Sequence, residues 1–398
     1  MKKTTCPNCR TEGCCHPFYE VLRVPTNSCL LVEDRARALD FPTGDIVLAF
    51  CRKCGFIFNA AWDRQLTIYS DQYEETQGFS PTFNAFNRAI AEELISNYDI
   101  RGKTVLEIGC GKGEFLSLIC ELGSNRGIGY DPSFVPARQR PEQDVRFVRE
   151  FFTADTRETA PDLFCCKMTL EHIGQTRRFV ASVRSVANRK GSVIFFQVPD
   201  VDRILKEGAF WDVYYEHCSY FSAIALKHLF TETGFAVLRT WTGYDGQYLM
   251  ILASPAEHGS DVTTGNEDSV AAIIGLCGRF AAAAAHSRAA WQSRLRNWAA
   301  TGQRTVLWGS GSKAVAFLTT LGVHDEVEHV VDINPYRVGK FLPSTGQRIV
   351  EPAFLRDYHP DNVVIMNPIY RDEVERELAS QRCEPRVFTI LDLETEPA

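Results

Sequence analysis

The sequence predicts an α/β fold in three parts: an amino-terminal zinc-binding β-rich domain, a central Rossmann-like domain and a carboxyl-terminal Rossmann-like domain. Three observations predict it. Two Cys-x-x-Cys pairs lie near the start, an apolar strand runs into a glycine turn and an amphipathic helix at 105–122, and a second strand and glycine turn open at 306. Between the two turns, strand and helix patterns alternate, the mark of a parallel, doubly wound sheet. A chain of 398 residues has room for two or three cores. The parts read as 1–68, 69–257, a helical connector over 258–300, and 301–398.

In the first part, Cys6-Pro7-Asn8-Cys9 and Cys51-Arg52-Lys53-Cys54 form two knuckles. Each presents two thiolates from a tight turn, so Cys6, Cys9, Cys51 and Cys54 together suit one tetrahedral zinc. Four thiolates leave no open position for water, which makes the expected zinc structural. The gap between the knuckles exceeds that of a simple zinc ribbon, so 21–50 is expected to fold as a small β-meander. Cys14, Cys15 and Cys29 stand in that gap as reserve thiols. Residues 69–86 then read as a polar, aromatic, Pro-broken loop before a helix. This is either a lid in which Tyr73 covers a cofactor, or an interdomain linker with a packed aromatic.

The central part opens on Val105-Leu106-Glu107-Ile108-Gly109-Cys110-Gly111-Lys112-Gly113. Glycines 109, 111 and 113 let the backbone turn sharply and approach a bound molecule. Gly127-Ile128-Gly129-Tyr130-Asp131 reads as the next strand, and it sets a carboxylate where a ribose diol would lie. An adenosine-bearing cofactor is expected. The glycines alternate behind Glu107, unlike the dinucleotide fingerprint G-x-G-x-x-G. Further strands are expected at 162–167 and 191–198. Leu170-Glu171-His172-Ile173 follows the first of these at the carboxyl edge, so His172 is either near the chemistry or a packed or capping histidine.

The segment Trp211-Asp212-Val213-Tyr214-Tyr215-Glu216-His217-Cys218-Ser219-Tyr220-Phe221-Ser222 gathers a phenol, a carboxylate and an imidazole among aromatic neighbours. Aromatic surroundings exclude water and move acidities toward neutrality. Removing a proton beside a carbonyl needs a base poised near neutrality and a donor to the enolate oxygen, roles that Tyr214, Glu216 and His217 can divide.

A polar break at 258–268 and an Ala- and Arg-rich helix over 269–300 lead to the last part. There Val306-Leu307-Trp308-Gly309-Ser310-Gly311-Ser312-Lys313 and Asp332-Ile333-Asn334-Pro335 form a second strand–turn–helix unit. Ala314 stands where a dinucleotide site has its third glycine. The turn therefore suits either a dinucleotide or a substrate phosphate held by its amides and Lys313.

The net charge of −7, evenly mixed, argues against a nucleic-acid grip. No apolar run approaches the ~18 residues of a membrane span, and Met1-Lys2-Lys3 leads into Thr and Cys, not a signal core. A cytoplasmic protein is expected, its fourteen cysteines thiols or metal ligands.

Glu107-x-Gly109-x-Gly111 resembles motif I of class I S-adenosylmethionine-dependent methyltransferases, with Asp131 as their ribose-binding acid. Over nearly the whole chain, the layout resembles the zinc-containing C-methyltransferases that act on carbon 3 of nucleotide-linked 4-keto-deoxysugars in antibiotic sugar pathways. The four knuckle cysteines match that family's zinc site. Tyr214-x-Glu216-His217 and Ser219-Tyr220-Phe221-Ser222 match its catalytic strings, and His172 falls on another active-site histidine. Gly309-x-Gly311-x-Lys313, Asp332-x-Asn334-Pro335, Gly339-Lys340 and Pro343-x-x-Gly346 resemble its carboxyl-terminal signature. The chain departs from the family at Ser312-Lys313-Ala314-Val315-Ala316 and at Met366-Asn367-Pro368-Ile369-Tyr370, where the substrate's nucleotide or tail is expected.

The resemblance implies S-adenosylmethionine and a structural zinc, a nucleotide-linked keto-sugar substrate, no nucleic-acid or membrane partner, and a monomer or weak homodimer. It places Glu107, Gly109, Gly111, Gly113, Asp131 and Tyr73 on the cofactor, and Gly309, Gly311, Lys313 and Asn334 on the substrate. His217, tuned by Glu216, would be the base, with Tyr214 and His172 steadying the enolate oxygen. The rivals are methylation of oxygen or nitrogen, an NAD-dependent sugar oxidoreductase built on 306–332, and a zinc-ribbon protein that binds or methylates RNA.

Overall fold

The computed structural model describes residues 4–138, 144–154, 161–187, 191–256 and 267–393. Strands β1 (Cys15–Pro25) and β2 (Thr43–Cys51) pair antiparallel, and β3 (Ile57–Asn59) extends β2. Between β1 and β2 lies a short helix, α1 (Arg35–Leu39), whose start is fixed by Asp34 accepting from the Arg37 amide. The meander expected over 21–50 is therefore two long strands with a helix between them. That capping aspartate is what interrupts the strand pattern.

Helix α2 (Pro81–Tyr98) begins where the Ser80 hydroxyl accepts from the Phe83 amide, with Pro81 in the first turn. The central run follows as β4 (Thr104–Ile108), α3 (Glu114–Gly123), β5 (Arg126–Tyr130), β6 (Val145–Val148), β7 (Leu163–Lys167), α4 (Thr176–Val186) and β8 (Val193–Pro199). These five strands are parallel, in the order β8-β7-β4-β5-β6. After α5 (Val201–Glu207), β9 (Ser219–Tyr220) and α6 (Ala223–Glu232), strands β10 (Phe235–Gly243) and β11 (Tyr248–Pro255) form a hairpin whose second arm lies antiparallel to β8. The seven-stranded sheet is thus mixed and not wholly parallel. A hairpin has no crossover helix to bring its second strand back in the first direction.

β9 belongs to a different sheet from its chain neighbours. It pairs with β3 through Ile57↔Tyr220 and Phe58↔Ser219, giving the amino-terminal sheet the order β1-β2-β3-β9. The residues next to His217 therefore complete the sheet that begins beside the cysteine knuckles.

The long helix α7 (Glu267–Ala300) leads to the last part; most of the polar break expected before it lies outside the described residues. By length and composition its Asp268–Ala300 stretch is apolar enough to cross a membrane, which corrects the expectation that no run of that kind exists. The helix nevertheless sets Ile273, Cys277, Phe280, Trp291, Leu295 and Trp298 into the protein's largest buried cluster. Its alanines, not a continuous run of large apolar residues, raise the hydropathy.

Then come β12 (Thr305–Trp308), α8 (Ser312–Leu321), β13 (His329–Val331), β14 (Arg348–Val350), α9 (Leu355–Tyr358), β15 (Asn362–Ile365), α10 (Arg371–Ser380) and β16 (Arg386–Thr389). The sheet is parallel throughout, in the order β14-β13-β12-β15-β16. The buried cluster that receives α7 also holds Val24, Ile46 and Leu48 of the first sheet, Phe210 and Trp211, and Leu307, Phe317 and Val330 of the last part. Three stretches of sequence thus share one core.

Candidate active site

The first glycine turn joins β4 to α3. Gly109, Gly111 and Gly113 have φ of +69°, +54° and +86°, a region that L side chains rarely enter. Gly109 is also excluded from change by space, since an added Cβ would stand 2.0 Å from the Thr169 hydroxyl oxygen. The Gly111 amide donates to Asp131 Oδ2 at 2.9 Å, and the Ser133 amide and hydroxyl donate to Oδ1 at 2.7 Å each. This fixes the carboxylate at the carboxyl edge of β5. Glu107 is buried with Oε2 unpartnered, and burial, against the pull of Lys167, pushes its carboxyl up to about 8. A turn with close backbone access, a fixed acid and an unpartnered buried acceptor fit S-adenosylmethionine, which offers ribose hydroxyls and an ammonium.

Asp131 and the first two glycines line a cavity of about 1350 Å³. The same cavity reaches Tyr73, His172, Tyr214 and His217, and on its other side Gly309, Gly311, Lys313 and Asn334. The residues expected on cofactor, chemistry and substrate thus converge on one space. Glu216 and Gly113 lie outside its lining, and the knuckle cysteines stand apart from it.

In its lining the His217 ring lies 4.1 Å from the Tyr214 ring and 4.8 Å from the His172 ring, centroid to centroid. His172 Nδ1 and the Tyr69 hydroxyl share a 2.9 Å hydrogen bond, which orients that imidazole. Burial, then the neighbouring His172, holds His217 well below the usual histidine value, and burial takes His172 down to about 4. Both rings are neutral near pH 7.

The carboxylate facing His217 is that of Glu171, with Oε1 4.0 Å from Nε2. Both Glu171 oxygens are buried without a partner, and burial pushes this carboxyl up to about 8. Glu216 points elsewhere. It accepts from the Ser28 amide at 2.8 Å, from the Ser28 hydroxyl at 2.8 and 3.0 Å, and from the Tyr73 hydroxyl at 3.4 Å. The expected tuning of His217 by Glu216 is thus replaced by a Glu171 contact. The chain turns here, with the His217 amide donating to the Tyr214 carbonyl, so consecutive side chains diverge.

Tyr73 does not simply lie over the glycine turn. Its hydroxyl goes to Glu216, and its carbonyl accepts from Lys112 Nζ at 2.6 Å, so it ties the turn to the catalytic segment. Sequence reasoning missed Glu171, Tyr69 and Gln197. Gln197 ends up fully buried on β8 with both amide atoms unpartnered at the cavity wall. Glu171 was available as the neighbour of His172. Nothing local marked the other two.

On the far side, the Ser310 amide donates to Asp332 Oδ2 at 2.9 Å and the Asn334 amide to Oδ1 at 2.8 Å. That repeats the Gly111–Asp131–Ser133 arrangement of the first turn. Lys313 is not a free phosphate anchor, because its ammonium is ion-paired with Asp212. Asp212 also pairs with Arg203 at 2.5 Å; burial alone would raise its carboxyl, but Lys313 and Arg203 pull it down to about 2. Asn334 Nδ2 donates to Glu74 Oε1 at 2.9 Å, and Glu74 is ion-paired with Arg138. The last part therefore clasps the 73–75 loop.

The thiols of Cys6, Cys9, Cys51 and Cys54 all lie within 4.8 Å of one another. Cys6 and Cys54 are 3.8 Å apart, and Cys9 and Cys51 3.6 Å. Thiolates bound at about 2.3 Å to one tetrahedral zinc stand about 3.8 Å apart. The Lys53 amide donates to Cys51 Sγ at 3.4 Å, as suits a thiolate. The donor set fits a four-thiolate zinc.

Residues 83–240 match the family model described as a methyltransferase domain, and residues 267–388 the C-methyltransferase C-terminal domain. The chain is an S-adenosylmethionine-dependent methyltransferase. The methyltransferase is 26% identical over 288 residues to the C-methyltransferase NovU of Streptomyces niveus, covering 69% of this chain and 68% of that one. It is 31% identical over 162 residues to the 2-ketoarginine methyltransferase of Streptomyces arginensis, covering 36% of this chain and 44% of that one. Among solved structures, the magnesium protoporphyrin IX methyltransferase of Synechocystis PCC 6803 with bound SAH aligns over 44% of this methyltransferase and 84% of that chain. Identity there is 14% and the TM-score 0.36, too slight a likeness to bear on function.

Proposed function

We propose that this methyltransferase acts on the carbon next to a ketone of a small substrate, a nucleotide-linked keto-deoxysugar, by way of an enolate. The observation that carries the reading is the packing of Tyr214, His217, His172 and Glu171 into the cavity that holds the glycine turn. A cavity of about 1350 Å³ exceeds the roughly 300–1000 Å³ of a pocket for one ligand, which supports cofactor and acceptor side by side. The relative named for 2-ketoarginine, a ketone, supports a carbon acid as acceptor. The sugar nucleotide is supported by the motif resemblance over the carboxyl-terminal turn. A cytoplasmic location and a structural zinc belong to the same reading.

S-adenosylmethionine, when bound, supplies an electrophilic methyl group. Neutral His217 takes the proton from the α carbon; burial keeps that imidazole unprotonated and also weakens it as a base, so the reaction leans on stabilisation of the enolate oxygen. Tyr214 and His172, the latter oriented by Tyr69, stabilise the oxygen on which negative charge gathers. Glu171, protonated near neutrality, adds no opposing charge beside the enolate and can donate a hydrogen bond. The enolate carbon would form its bond to the methyl group as the sulfonium carbon–sulfur bond breaks, that electron pair would leave with S-adenosylhomocysteine, and the proton taken up by His217 would pass to solvent. Asp131 would hold the cofactor's ribose hydroxyls and Glu107 its ammonium, whose positive charge would offset the burial that raises the Glu107 carboxyl. Holding the reacting carbons together can contribute on the order of 7 to 11 kcal/mol.

The test is exchange of the α proton of a nucleotide-linked 4-keto-deoxysugar in deuterated water without cofactor. Exchange by the wild type, slowed roughly 100-fold or more in His217→Gln, is the expected result. Methylation of that substrate without exchange would place the methyl on oxygen or nitrogen. Near-normal exchange by the variant would remove His217 as the base.

A further inference from the structure

Two more thiols crowd the cysteine knuckles. Cys15 lies directly across from Cys51 in the β1–β2 pairing, and the Arg52 amide donates to the Cys14 carbonyl at 2.9 Å. The sheet itself thus brings both cysteines to the knuckle. Cys14 Sγ is 3.3 Å from Cys51 Sγ, and the thiols of Cys14, Cys15 and Cys51 lie within 4.8 Å of one another. Cys51 therefore belongs to two metal-competent groups, one with Cys6, Cys9 and Cys54 and one with Cys14 and Cys15. Cys51 is fully buried, whereas Cys14 and Cys15 are partly exposed, so the second group opens toward solvent.

We propose that these six cysteines hold two zinc ions that share the Cys51 thiolate. The first ion takes Cys6, Cys9, Cys51 and Cys54. The second takes Cys14, Cys15 and Cys51 and leaves its fourth position to water on the exposed side. A single zinc bound by four thiolates carries two surplus negative charges in a largely buried site. A second divalent ion bound by two further thiolates adds none, and its binding releases the protons of Cys14 and Cys15. The three-thiolate group with one open position has the ligand count of a zinc centre that keeps a water. Adjacent cysteines seldom chelate one ion from an isolated turn. Here Cys15 is held by a strand and Cys14 by the loop before it, with the Cys14 carbonyl fixed by the Arg52 amide.

The inference rests on the four-cysteine reading for its first ion only. The experiment is zinc content per chain of the full-length protein, by mass spectrometry after equilibration with zinc and removal of excess, for wild type and for Cys14→Ser/Cys15→Ser. Two ions in the wild type and one in the folded double variant are expected. Exchange of zinc for cadmium-113 should give two resonances split by coupling through the shared sulfur. One ion in the wild type overturns the second site and leaves the first standing; no ion overturns both. Two uncoupled resonances overturn the sharing. The wild-type counts and the coupling decide the matter even if the double variant does not fold.

Discussion

Glu171, buried with both oxygens unpartnered, makes a pH-dependent contribution to stability. Its carboxyl has an ordinary value of 4.5 and in the folded protein is raised to about 8 by burial. Between those values the folded state holds a proton that the unfolded state has lost, so stability falls as pH rises through the window. The penalty is absent below the lower value and complete above the upper one. Glu171→Gln should therefore melt higher than wild type by a few degrees at about pH 9, with the difference gone at about pH 4, as checked by thermal unfolding across pH. Asp131→Ala, whose carboxylate is fixed by Gly111 and Ser133, should lose most affinity for S-adenosylmethionine and S-adenosylhomocysteine in calorimetric titration while staying folded. Binding of NAD in their place would move the chemistry to the second turn. At this scale the sequence marked Tyr214, His217 and His172, because their functional groups are rare and cluster in short strings. It could not mark which carboxylate turns toward His217: the choice between Glu171 and Glu216 depends on a chain turn and on Ser28, nearly two hundred residues away.

Among the elements, β4, β5, β7 and β8 were readable because apolar strands bounded by glycine and charge alternate with helices; β6 (Val145–Val148), four residues with Arg146 among them, was not. The β10–β11 hairpin was not, since an apolar run reads alike in either direction and only the loop between 243 and 248 sets the reversal. Helix α7 concealed its role, because alanine hides which face is buried. Its anchor is Trp291, 1% exposed, whose indole N–H donates to the Ile390 carbonyl at 3.0 Å. Trp291→Ala should destabilise the protein by about 3–5 kcal/mol in denaturant titration. Cofactor affinity of the folded variant should change little, because the first glycine turn packs on another sheet. A large loss of affinity without loss of stability would contradict that assignment.

Across the whole molecule, the amino-terminal sheet and the catalytic segment are one structure. Stripping metal with a chelator should lower the melting temperature and abolish proton exchange, because β3 follows the Cys51 knuckle in the chain and pairs with β9, next to His217. Binding of S-adenosylmethionine, followed by calorimetry on protein still folded, should weaken less. Retained exchange and stability in metal-free protein would show that the cysteines are not needed to support the site. The interleaving of the amino-terminal sheet with the catalytic segment was not readable, since nothing in Ser219 or Tyr220 announces a partner in Phe58 or Ile57.

That pairing also sets a schedule for biosynthesis. A nascent chain emerging at about 5–20 residues per second reaches β9 roughly ten to thirty seconds after β3. During that interval the β3 edge, with Ile57 and Phe58, has no strand beside it, and an uncovered edge of that kind invites pairing with other chains. Slower synthesis between residues 60 and 220 would lengthen the exposure, so the yield of this protein in a foreign host should depend on codon choice there more than on codon choice after residue 300.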